Sequence, residues 1–138
     1  MDWYLEVLRK YVEFSGRARR KEYWMFVLFH FIFISLLVII LISSTGSFDT
    51  NAEPNSIVAL ILSVYIFGTL LPSIAVTVRR LHDIGKSGWW YFISLVPYIG
   101  SFILLIFMCM EGEKRTNKWG KNPKGIGNDD VINQIGRE

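Results

Sequence analysis

The chain has 138 residues, 51% of them hydrophobic and 15% aromatic, with a formal net charge of +3, which is length for one domain and, at a mean hydropathy of +0.33, too apolar for an ordinary soluble one. Its single cysteine, Cys109, excludes an internal disulfide. The basic balance does not point to nucleic acid, because all fifteen lysines and arginines fall in residues 9–21, 79–86 and 114–137 and none lies between Glu22 and Val78, a segregation that belongs to membrane topology.

The chain opens on DWYLEVLRKYVEF. Asp2, Glu6, Arg9 and Glu13 recur on one helical face, and Trp3, Val7, Tyr11 and Phe14 form a second stripe. The pattern predicts a short amphipathic helix, too short to be stable alone in water, lying on the membrane surface or packed under the bundle. Gly16 is its natural stop.

The first apolar run, Tyr23 to Ile42, carries only His30 and Ser35 as polar side chains. A helix rises about 1.5 Å per residue, so about 20 residues cross a hydrocarbon core. Without water, every backbone group must be satisfied inside the segment, which forces a helix. The deep positive flank and the lack of a small-residue cleavage site argue against a cleaved signal peptide, so the run is expected to stay as an anchor. The loop 43–56 that follows holds Asp49 and Glu53 but no Lys or Arg.

The second run, 57–78, is uncharged; Gly68, Thr69, Pro72, Ser73 and Thr77 give it a small, polar face that suits helix packing or, more sharply, a substrate path. The next loop, 79–88, carries Arg79, Arg80 and Lys86. By the positive-inside rule the N-terminus and loop 79–88 are expected in the cytoplasm and loop 43–56 outside.

The third run, 89–110, creates a conflict. Its length suits a crossing, which would put Lys114, Arg115, Lys118, Lys121 and Lys124 on the outer side. Pro97 and Gly100 near its middle allow instead a re-entrant hairpin that returns the basic tail to the cytoplasm. Both arrangements stay open. The fold class is therefore all-α: a small polytopic membrane helix bundle of three apolar segments, the third crossing or re-entrant, behind a short amphipathic N-terminal helix. Residues 1–124 form a single membrane domain with spans near 23–43, 57–78 and 89–110, and 125–138 a flexible polar tail.

Candidate chemistry is sparse. His82 and Asp83 are adjacent, so on a helix they would diverge, a poor geometry for an Asp-oriented base. The plainer reading is that they close a turn, with Asp83 offsetting Arg79 or Arg80. His30, His82 and Cys109 are too few and too scattered for a metal site. His30 inside a span is either a proton-handling group or, more simply, a hydrogen-bond partner for a neighbouring helix. Arg17, Arg19, Arg20 and Lys21, together with Arg79, Arg80 and Lys86, suit anionic headgroups, since guanidinium fits phosphate. Tyr23, Trp24, Trp89, Trp90 and Tyr91 fit an interfacial aromatic belt.

Three blocks, FSGRARRKEYWMF at 14–26, RRLHDIGKSGWW at 79–90 and GEKRTNKWGKNP at 112–123, together resemble the bacterial membrane-protein family catalogued as domain of unknown function 805. The resemblance runs to about residue 124. Its signature falls on Gly16, Arg17, Arg19, Arg20, Tyr23 and Trp24, then on Arg79 to Asp83, Trp89 and Trp90, then on Asn117, Trp119, Gly120 and Pro123. Trp119 stands where Tyr or Phe is commoner. The resemblance implies a bacterial inner-membrane address and no established activity. With the third run re-entrant, it also points to a shared polar layer of Arg17, Arg20, Arg80, Asp83 and Asn117, either pure architecture or a seat for a phosphate-bearing ligand. The function expected is that of a non-enzymatic inner-membrane protein binding lipids, anionic ones included, or a protein partner, as a homo-oligomer in one version. A small oligomeric transporter or channel is the alternative. No cofactor, metal or nucleic acid is implied.

Overall fold

The computed structural model describes residues 2–44 and 55–125; most of loop 43–56 and of the tail 125–138 lies outside them. Its elements are α1 (Asp2–Arg9), α2 (Arg20–Ser44), α3 (Ser56–Asp83), a 3-10 helix (Gly88–Leu95) and α4 (Ile99–Cys109). The fold is all-helical, a small membrane helix bundle.

α2 and α3 hold 25 and 28 residues, roughly 38 and 42 Å at 1.5 Å per residue, so each exceeds a hydrocarbon core of about 30 Å. Their outer faces are apolar and open: Phe31 is 67% exposed, Ile39 62%, Leu60 65% and Phe67 74%. Side chains of this kind need acyl chains around them. Asn55 starts α3, its Oδ1 accepting from the amides of Ile57 and Val58 at 3.1 and 3.4 Å.

α3 runs past the expected end of the second span. Residues 79–83, expected in a loop, are its last helical turn, and all five are buried. Charge alone argued for a loop; the helix continues because each of these side chains finds a protein partner. It stops at Gly85, whose φ of +77° suits glycine. There the amides of Gly85 and Lys86 cap the carbonyls of His82 and Leu81 at 3.1 and 2.9 Å.

α1 packs against the bundle rather than lying apart from it. Val7 is buried with Ala18, Phe26 and Val76, and the Tyr4 ring stacks on Phe26 at 5.5 Å. The helix ends at Arg9, earlier than its periodicity predicts. Tyr11 lies beyond that end and turns to donate its hydroxyl to the Gly68 carbonyl at 2.6 Å.

The third run is two short helices rather than one. The 3-10 helix has eight residues and α4 eleven, about 16 Å each and close to half a bilayer. Between them Tyr98 adopts φ 65° and ψ −57°, and the Ile99 amide reaches the Pro97 carbonyl at 2.8 Å, a γ-turn. Gly100 lies so close to the Ile93 carbonyl that a Cβ there would collide with it. The Glu113 amide then donates to the Asp83 carbonyl at 2.8 Å, which brings the chain back to where it left α3. The single long helix favoured by length gives way to a hairpin because Pro97 and Gly100 let two short limbs touch. Leu81, Ile84 and Met108 form a second small core with Tyr23, Tyr91, Leu104 and Phe107 around it. Tyr23 belongs to both cores.

Candidate functional site

Asp83, the last residue of α3, sits at the centre of a buried polar layer. Its Oδ1 accepts from Arg17 Nε at 2.9 Å, and its Oδ2 accepts from Arg80 Nη1. The two guanidinium groups also read carbonyls of the returning chain. Arg17 donates through Nη1 to Arg115 O at 2.7 Å and through Nη2 to Glu113 O; Arg80 donates to Met108 O at 3.4 Å and to Met110 O. A Cβ on Gly112 would run into the Asp83 carboxylate, so the strap passes here only because that residue is glycine. Buried charges persist when paired and saturated with hydrogen bonds, and Arg17, Arg80 and Asp83 meet both conditions.

Arg79 points the other way. Its Nη1 donates to Glu22 Oε1 at 2.9 Å, a pair that is nearly inaccessible at both ends. Its Nε and Nη2 have no protein partner among the described residues. The Arg79 carbonyl accepts from the Ala18 amide at 3.1 Å, pinning the segment before α2 to the end of α3.

His82 and Asp83 do not form a dyad, since no hydrogen bond joins them. His82 Nδ1 faces the Gly16 carbonyl at 3.2 Å; a carbonyl only accepts, so this nitrogen carries the proton. The ring stacks on Trp119 with centroids 4.7 Å apart. Asn117 Nδ2 donates to His82 O at 2.9 Å and to Glu113 Oε2 at 2.8 Å. Lys86 stands apart, over the rings of Trp90 and Phe107 at 5.3 and 5.8 Å, a cation–π position.

Arg19 and Arg20 are placed differently from the buried layer. Arg20 Nε donates to Met110 O at 2.7 Å and Arg19 Nη2 to Pro123 O. Together with Asp83, Glu111, Gly112, Lys114, Asn122, Pro123 and Lys124 they line a pocket of about 140 Å³. Asp83 is held by Arg17 and Arg80, and Glu111 accepts from Lys124 at 3.3 Å. Hydrogen bonding to the Lys124 ammonium, and its charge, hold the Glu111 carboxyl below the ordinary carboxylate value. With Arg19, Arg20, Lys114 and Lys124 on the wall, the pocket carries an excess of positive charge. Lys114, Lys124, Glu111 and Asn122 were not singled out from the sequence. Their signal is the density of basic residues in the block beginning GEKRTNKW, which serves equally as a topology marker.

The other sequence candidates resolve inside the bundle. His30 Nδ1 lies 3.1 Å from the Tyr65 hydroxyl, and the two rings stack. On the small-residue face of α3, the hydroxyls of Thr69, Ser73 and Thr77 donate back to carbonyls of their own helix at 2.8, 2.8 and 2.7 Å.

The family model described as "Protein of unknown function (DUF805)" matches residues 11–121. The chain is 44% identical over 129 residues to the inner membrane protein YhaH of Escherichia coli, with 90% of this chain and 98% of that protein aligned. It is 42% identical over 124 residues to the inner membrane protein YhaI of the same bacterium, covering 90% and 97%. A more distant relative there, the uncharacterized protein YiiR, is 26% identical over 138 residues, covering 82% and 87%. No solved structure matches the chain.

Proposed function

The chain belongs to DUF805, a family of proteins of unknown function, and from that premise we propose that it is a bacterial inner-membrane protein that holds phosphate-bearing anionic lipid headgroups without catalysing a reaction. The observation that carries this reading is the pocket walled by Arg19, Arg20, Lys114 and Lys124. Arginine forks and lysine ammoniums at membrane-headgroup level are chemistry for phosphate. The buried Arg17–Arg80–Asp83 layer beneath serves as architecture that fixes the pocket floor. The basic end lies in the cytoplasm: the hairpin keeps the basic segments 9–21, 79–86 and 114–124 together, and a single placement then satisfies the positive-inside rule.

The test is lipid retention by the purified protein, read by native mass spectrometry with phosphatidylglycerol against phosphatidylcholine. Selective retention of phosphatidylglycerol is expected. Each cation near an anionic surface contributes about 1 kcal/mol, so the Arg19→Gln, Lys114→Gln double variant should bind roughly 30-fold more weakly. Equal retention of both lipids, or a double variant that binds as the parent does, sinks the proposal. A phosphatase fused after residue 124 should be inactive and a fluorescent protein there bright; the reverse overturns the assigned side.

A further inference from the structure

The molecule is wide at one end and narrow at the other. Near the Asp83 end, α1 flanks the α2–α3 pair through Val7, Phe26 and Val76. The hairpin is packed there too, with Gly88 beside Val78 and Tyr91 and Met108 against Leu81. Both flanking units stop short of the far end. The deepest ring contact of α1 on α2 is Phe33, and the hairpin limbs, at eight and eleven residues, reach about 16 Å. Beyond them, among the described residues, α2 and α3 alone continue, with Ile39 62%, Leu60 65% and Ile61 51% exposed.

The hairpin is built for hydrocarbon. No charged residue lies between Trp89 and Met110, and its outer surface offers Leu95 at 77% exposure and Phe102 at 64%. At the tip three backbone donors turn inward: Val96 to Ile93 O at 3.0 Å, Ile99 to Pro97 O at 2.8 Å and Gly100 to Val96 O at 3.0 Å. Pro97 has no donor to satisfy. Each such bond lowers the cost of placing the turn in a water-free setting.

A helix with its side chains is about 10 Å across, so α1 and two hairpin limbs add three such sections to one leaflet beside two that run through both. We propose that the protein is a one-leaflet wedge that couples to membrane curvature, its partner being the acyl chains of a convex leaflet. Bending that spreads the leaflet around the wide end relieves the mismatch, as it does for amphipathic helices inserted at the interface. The basic end therefore favours the convex face.

The full chain, carrying a C-terminal fluorophore, is reconstituted into small sonicated and large extruded vesicles of neutral phosphatidylcholine. An impermeant quencher reports which end faces out. The outward-to-inward ratio of the basic end should rise by about threefold or more in the small vesicles, a shift worth ~0.7 kcal/mol. The same ratio in both sizes, or a fall, overturns the proposal. Val7→Asp, which expels α1 from its flank, should weaken the size dependence; a size dependence unchanged in that variant removes α1 from the wedge. Because the vesicles are neutral, the result is independent of headgroup binding.

Discussion

The carbonyl of Gly68 is the one that Pro72 leaves without a helical donor, and the hydroxyl of Tyr11 fills that vacancy at 2.6 Å. A break in one helix is thereby mended by a residue from the segment that follows another. Tyr11→Phe should cost about 1 kcal/mol of unfolding free energy in mixed detergent micelles. In a Pro72→Ala background the helix supplies its own donor, so the same substitution should cost little. Equal costs in both backgrounds would disconnect the two residues.

Arg17 joins Asp83 to the strap carbonyls of Glu113 and Arg115. Removing it leaves a buried carboxylate with one partner lost and several carbonyls bare. Arg17→Ala should destabilise by about 3–5 kcal/mol and expose residues 111–124 to protease. Arg17→Lys should rescue only part of this, because one ammonium cannot serve carboxylate and carbonyls in the fork geometry. A strap that stays protease-resistant in the alanine variant would show that the layer is not what holds it.

Arg79 and Glu22 form a second buried pair, separate from the first. Glu22→Gln alone strands a buried guanidinium and should cost about 3–5 kcal/mol, whereas Glu22→Leu with Arg79→Met should come close to neutral. Thermal unfolding of the three proteins in one detergent measures it. A double variant as damaged as the single would mean that the charges act on something besides each other.

Glu111 is one of two carboxylates lining the pocket. Its carboxyl is held below its ordinary 4.5 by the hydrogen bond from Lys124 and by that ammonium's charge, so it is ionised at every physiological pH. A depressed carboxylate favours the folded state above its ordinary range and loses that contribution as pH falls through the lowered value. Phosphatidylglycerol retention should therefore be flat between about pH 6 and 8, because this group does not titrate there. Glu111→Gln should tighten it at neutral pH by removing a negative charge and freeing Lys124. Weaker retention in that variant would show that Glu111 contacts the ligand favourably.

Parts of the site are legible in the sequence. The GRARR tract and the RRLHD tract are the right neighbourhoods, and Asp83 does offset Arg80, three residues earlier on the same helix. Charge alone could not distinguish Arg80, sealed against Asp83, from Arg20, on the pocket wall. Both are arginines at the edge of an apolar run. Lys114 and Lys124 carry only a topology signal in the sequence, because nothing local marks a lysine as facing a pocket.

What the sequence determined by itself is the membrane fold class and the two long spans, α2 and α3. Hydropathy and charge accumulate along the chain, and a bilayer reads them as sums over a helix length. Tertiary structure decided the rest: that 89–110 folds back on itself, that 79–83 stay helical, and that Asp83 meets Arg17. Those outcomes depend on single atoms, the missing amide of Pro97, the missing Cβ of Gly100 and Gly112, and the carbonyls that come within reach of a guanidinium. Such contacts join residues far apart in the chain, where no local pattern records them.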